Sequence, residues 1–198
     1  YFYIGGYSRK VTDWNKYPDT MGVREFYGGD LKGVMDKLDY LQELGIEVLY
    51  FNPLFVSPSN HKYDIQDYDY IDPHYGVILE DGGEVLPEGV TDNSKASKYQ
   101  KRATDRRNLE ASNQLFIQLV EELHRRGMKI ILDGVFNHVG RGFWAFQDVL
   151  KNRENSPYLN WFHINLGGNS NYNDGLWYEG WEGNYDLVKL NLRNEEVI

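Results

Sequence analysis

Twice in this chain an amphipathic helical pattern stops on a glycine and a short apolar run follows at once. Asp30 opens the first pattern, with Leu31, Val34, Met35, Leu38, Leu41 and Leu44 on one face and Gly45 as the stop. The run "IEVLYFNP" (Ile46–Pro53) comes next, apolar on both faces as a buried parallel strand should be. The second helix is predicted from about Asn108, with Leu115, Phe116, Leu119, Val120 and Leu123 on one face and Gly127 as its stop, before "MKIILD". Helix and strand in that alternation predict an α/β fold with a parallel sheet. Between the two units, residues 53–107 are polar and turn-rich with no sustained period, an enlarged loop at a strand's C-terminal end.

Working residues in such folds gather beyond the C-terminal ends of the strands. Both strands deliver polar clusters there. The first is "SNHKYDIQDYDYIDPHYG" (Ser59–Gly76) and the second is "DGVFNH", where Asn137 and His138 sit side by side in an expected loop. Taken alone, Asp133 can cap a neighbouring loop and His138 can be a satisfied core histidine. Asp133, Asn137 and His138 are also plausible metal ligands, although no zinc or di-metal spacing accompanies them. A Ser–His–Asp reading lacks the Gly-x-Ser-x-Gly turn.

Composition removes several classes. The net charge of −9 argues against a nucleic-acid partner. The densest basic run, Lys101–Arg107, is broken by Asp105 and reads as a solvated loop or the approach to a helix. Without cysteine there is no disulfide, thiolate-metal or cysteine-nucleophile chemistry. No apolar run approaches the roughly 18 residues of a membrane span. The chain begins without Met and without a signal-peptide pattern, which leaves its compartment open. The 16 Tyr and 5 Trp suit sugar rings as well as they suit a core.

After His138 the alternation ends. Up to about Asp186 there is one helical candidate, "FWAFQDVLKN", then a run rich in Asn, Gly, Trp and Tyr, as in a functional segment or small inserted domain. "LNLRNEEVI" places a helix N-cap at Asn194. A helix starting there leads us to expect a fragment of a longer chain.

The segments "FYGGDLKGVMDKLDYLQELGIEVLYFNPLF", "SPSNHKYDIQDYDYIDPHYG", "LDGVFNH" and "DLVKLN" resemble, in order and spacing, the α-amylase family of glycoside hydrolases (family 13). The first three, with "FQDVLKN…SPYLNWFHI", are most similar to its neopullulanase and cyclomaltodextrinase branch. That branch's usual Met-Pro-Lys-Leu-Asn appears here as Leu187, Val188, Lys189, Leu190 and Asn191. The resemblance implies the N-terminal part of a (β/α)8 TIM barrel. Residues 1–138 would hold its first three strands, 139–186 a domain B inserted after the third strand, and 187–198 the return to the barrel.

It also implies roles. Asp133 would hold the arginine that supports the catalytic nucleophile, and His138 would hydrogen-bond the sugar being cleaved. Tyr63 would stack beneath that sugar, with His61 as a further binding candidate, and Asp64 would help fix the loop. Trp177, Tyr178 and Trp181 are candidates to wall the glucan cleft. Asn137 would ligate a structural calcium. The family's catalytic carboxylates follow strands four, five and seven, so none is expected here, and no "GxRxD" motif is present. The implied activity is retaining cleavage of starch-like α-glucans, pullulan or cyclodextrins, with the rest of the barrel as partner. A transglycosylase, a non-catalytic carbohydrate-binding protein and a metal-dependent hydrolase are the alternatives.

Overall fold

The computed structural model describes Asn15, residues 29–85, Pro87 and residues 96–198. The chain divides into two compact units, residues 1–62 with 68–133, and residues 63–67 with 134–198. Among the described residues no helix is long and apolar enough to cross a membrane.

In the first unit the predicted opening helix is two helices, α1 (Leu31–Met35) and α2 (Leu38–Glu43). Asp30 caps α1 by accepting the Gly33 amide at 2.8 Å. The break comes where the Lys37 amide bonds the Val34 carbonyl, three residues back, and tightens the chain for one turn. Leu44, expected on the buried face, lies past the end of α2 and is 61% exposed. Gly45 and Gly127 both take the left-handed conformation that stops a helix, with φ of 83° and 73°.

Strands β1 (Val48–Phe51) and β4 (Lys129–Leu132) pair in parallel, Val48 against Lys129 through Phe51 against Leu132. Leu49, Phe51, Ile130 and Leu132 pack on a core of Leu31, Leu38, Leu115, Leu119 and Leu123. Three of these come from helix α4 (Arg106–Arg125), whose four-residue spacing aims one stripe at the sheet. Among the described residues only one sheet face is covered, contrary to the reading of β1 as buried on both sides. Val48, Tyr50 and Ile131 remain exposed on the other.

The long connection is more ordered than its sequence predicts. It carries β2 (Phe55–Val56) paired with β3 (Asp67–Ile71), and helix α3 (Ser97–Thr104). Ala96, Tyr99 and Ala103 build a small second core with Val56 and Leu109. The basic run therefore ends α3 and starts α4. Arg102 within it is buried, its Nε donating to Asp81 at 2.7 Å. Under the loop lies a buried ion pair, Lys62 Nζ to Asp72 Oδ2 at 2.6 Å. Asp72 also accepts the Ser57 and His74 amides and the His74 ring Nδ1–H, so its charge is fully hydrogen-bonded. That neighbourhood holds its carboxyl well below the usual range: burial pushes upward, and Lys62 and His74 outweigh it.

The second unit is built on a three-stranded antiparallel sheet ordered β5 (His138–Gly140), β9 (Asn184–Lys189), β8 (Gly180–Trp181). His138, expected in a loop, opens β5. β9 runs on to Lys189, and residues 187–198 group with this unit. Helix α5 (Trp144–Asn152) matches its prediction and buries Ala145, Phe146 and Val149. Phe146 meets Phe162 and Tyr178 edge-to-face, at 5.4 and 4.9 Å between centroids. A hairpin, β6 (Ile164–Asn165) with β7 (Trp177–Tyr178), completes the unit. The expected helix at Asn194 is only a turn, though Asn194 does accept the Glu196 amide.

Candidate functional site

The segment 63–67 lies along β5. The Gly140 amide donates to the Ile65 carbonyl at 2.9 Å. This approach demands glycine, because a Cβ at position 140 would stand 2.4 Å from the Asp64 carbonyl oxygen. Two residues earlier, the His138 ring bonds the Tyr63 carbonyl through Nε2 at 3.0 Å. A carbonyl only accepts, so Nε2 carries the proton and Nδ1 is the acceptor of the neutral ring. Burial lowers the His138 pKa below its ordinary value, against the opposing pull of the Tyr63 carbonyl and Asp64.

His138 is 3% exposed, and the Trp181 indole lies against it. The expectation that His138 hydrogen-bonds a sugar meets an imidazole that is covered and whose Nε2–H is already engaged. Tyr63 and Asp64 are half-buried beside it.

Beyond Trp181 the sheet opens into a groove of about 470 Å³ lined by Trp177, Glu179, Trp181, Glu182, Tyr185 and Lys189. Trp177 is held by its Nε1–H on the Tyr185 hydroxyl at 3.0 Å. Lys189 Nζ meets Glu179 Oε1 at 2.5 Å, and this lysine lowers the Glu179 pKa and keeps it ionised. Sequence reasoning missed Glu179, Tyr185 and Lys189 as lining residues. They meet through sheet register in a Gly- and Asn-rich stretch without periodicity.

Tyr178 departs from expectation. Strand alternation sends it to the core, fully buried, where its hydroxyl donates to the Tyr185 carbonyl at 2.6 Å. Arg141 braces it from outside, forked onto the Asp174 carboxylate at 3.0 Å on both arms and stacked 3.8 Å from the Tyr172 ring centre.

Tyr63, Asp64, His138, Trp177 and Trp181 thus share the second unit. His61 and Asp133 belong to the first. His61 is exposed, its Nδ1 3.1 Å from the Ser59 hydroxyl. Asp133 follows β4, its amide donating to the Phe51 carbonyl at 3.0 Å, and its carboxylate accepts a hydrogen bond from the Tyr50 phenol.

Asn137 is the expected calcium ligand; its backbone carbonyl accepts the Leu190 amide at 3.0 Å. Among the described residues no group of three or more His, Cys, Asp or Glu is placed to hold a metal.

Comparison with known proteins gives a consistent pattern. The family described as "Alpha amylase, catalytic domain" matches residues 7–84 and 111–197. An intracellular maltogenic amylase of Bacillus subtilis is 40% identical over 176 residues, 89% of this chain and 23% of that protein. Neopullulanase 2 of Thermoactinomyces vulgaris is 48% identical over 139 residues, 70% of this chain and 18% of that one. Among solved structures, the type III pullulan hydrolase from Thermococcus kodakarensis superposes with a TM-score of 0.68 at 31% identity, over 97% of this chain and 27% of that chain. The cyclic α-maltosyl-(1→6)-maltose hydrolase of Arthrobacter globiformis, in complex with maltose, gives 0.65 at 29% identity, over 97% and 39%. The chain spans about a quarter or less of the length of these two curated relatives.

Proposed function

The chain belongs to the α-amylase family of glycoside hydrolases, and from that premise we propose that it supplies part of the substrate cleft of a retaining α-glucan hydrolase. It is an N-terminal portion of the family's (β/α)8 catalytic barrel, with mixed α/β content and no closed barrel. The observation that carries the proposal is the ordered block of Tyr63, His138 and Trp181 beside a groove walled by Trp177 and Trp181. Flat indole and phenol faces meet the apolar faces of glucose rings, and their polar edges reach the hydroxyls.

Each residue has a part. Tyr63 stacks beneath the sugar at the cleaved bond, held from behind by His138 through its own carbonyl. His138 reaches the sugar only when the Trp181 ring moves aside. Asp133 orients an arginine contributed by the rest of the barrel. Retaining cleavage needs a nucleophile and an acid carboxyl about 5–5.5 Å apart, and we assign neither to this chain. The substrates that fit are starch-like oligosaccharides, pullulan and cyclodextrins.

The test is reducing-sugar release from soluble starch, pullulan and β-cyclodextrin, by this chain and by the full-length protein containing it. Release by the full-length protein alone supports the proposal. Release by this chain alone would place the carboxylates within it. Binding without release by the full-length protein would favour a carbohydrate-binding protein, and longer oligosaccharide products a transglycosylase.

A further inference from the structure

Lys189 stands directly across from His138 in the β5–β9 register. Paired residues of an antiparallel ladder send their side chains to the same face. The Lys189 ammonium therefore leaves the sheet on the side where Trp181 covers His138. It ends on the Glu179 carboxylate, and the Lys189 amide also donates to the Glu179 carbonyl at 2.9 Å. One side of the groove is thus aromatic, and beside it stands a carboxylate fixed at both its backbone and its side chain.

We propose that Glu179 is the specificity-determining residue of this groove, accepting hydrogen bonds from adjacent secondary hydroxyls of the glucose ring that lies against Trp181. The inference rests on the glucan-cleft reading. A carboxylate only accepts, through two neighbouring oxygens with about four lone-pair sites. Lys189 occupies one oxygen at 2.5 Å, and His163 stands 4.0 Å from the other, leaving acceptor capacity toward the groove. Two adjacent ring hydroxyls are a pair of donors that match it, and the resulting bonds are charge-assisted. Lys189 keeps the carboxylate ionised and aimed. The neighbouring indole has no part in that discrimination, because it meets any apolar ring face.

The experiment uses the full-length protein carrying this chain and measures competitive inhibition of soluble-starch hydrolysis. The probes are β-cyclodextrin and its 2,3-di-O-methyl derivative, in which both secondary hydroxyls of every ring are blocked and the rings kept. Glu179→Gln, nearly isosteric, is expected to weaken inhibition by β-cyclodextrin about tenfold, the size of a lost charged acceptor. Inhibition by the methylated probe should stay within twofold, so the ratio between probes collapses. Trp181→Ala should weaken both equally. Equal weakening of both probes by Glu179→Gln, or an unchanged ratio, overturns the proposal while leaving the cleft reading intact. No starch hydrolysis by the full-length protein, or no effect of Trp181→Ala, overturns the cleft reading and this inference with it.

Discussion

Trp181 covers His138 with ring centroids 4.9 Å apart and 33° between the ring planes. The contact shields the imidazole from water, and burial is the largest reason that its pKa lies below the ordinary value. Trp181→Ala should therefore raise the His138 pKa toward about 6.5. NMR titration of the imidazole measures it, and an unchanged midpoint would mean that Trp181 is not the shield.

The same shift has a consequence for stability. His138 and His74 both have folded-state pKa values lowered chiefly by burial. The unfolded chain therefore binds more protons below about pH 6.5, and stability falls as pH drops through that point. Urea midpoints at pH 7.5 and 5.5 should differ in that direction. An increase in stability at the lower pH would contradict the neutral, buried assignment of both rings.

Gly140→Ala places a methyl group 2.4 Å from the Asp64 carbonyl, a backbone atom that cannot rotate away. The expected cost is about 1–3 kcal/mol, as for overpacking generally. Loss of protection of the amide at position 140 in hydrogen exchange would report that residues 63–67 have moved off β5.

Breaking the Lys62–Asp72 pair on one side leaves an ammonium buried at 1% exposure. Asp72→Asn should cost about 3–5 kcal/mol. Adding Lys62→Met removes the orphaned charge, so the double variant should be more stable than Asp72→Asn alone. Thermal melts of the three proteins decide it, and a double variant less stable than the single would refute the orphan-charge account.

Tyr63→Ala in the full-length protein should weaken malto-oligosaccharide binding by about 1–3 kcal/mol, by analogy with base–aromatic stacking. Unchanged kcat and KM on a linear maltodextrin would remove Tyr63 from the cleft.

Long, regular elements were readable in the sequence. Helix α4 and strand β4 follow from a sustained stripe of Leu residues and an uninterrupted apolar run. Helix α3 was not readable, because its buried side is made by Tyr99 and Ala103 among Lys and Arg, and so much small or amphipathic surface hides the period. His138 in β5 was missed because three residues are too few to alternate visibly. Motif words marked Asp133, Tyr63 and His138 as candidates, and the structure brings the last two together through the His138 ring and the Tyr63 carbonyl. Glu179 was not, since its link to Lys189 depends on a strand register that no local pattern encodes. The alternation that sends Tyr178 inward between Trp177 and the residues that follow was present in the sequence, yet two-residue strands do not announce themselves.

The bond from the Gly140 amide to the Ile65 carbonyl has a consequence for anyone moving the second unit between proteins. The unit it belongs to is not one uninterrupted stretch of gene. An excision at residue 134 would carry off β5 with the Gly140 donor and leave residues 63–67, with the Ile65 acceptor, behind. A working graft must transplant two separate pieces of chain at once, the five-residue strip and the long segment, with the Cβ-free position between them kept intact.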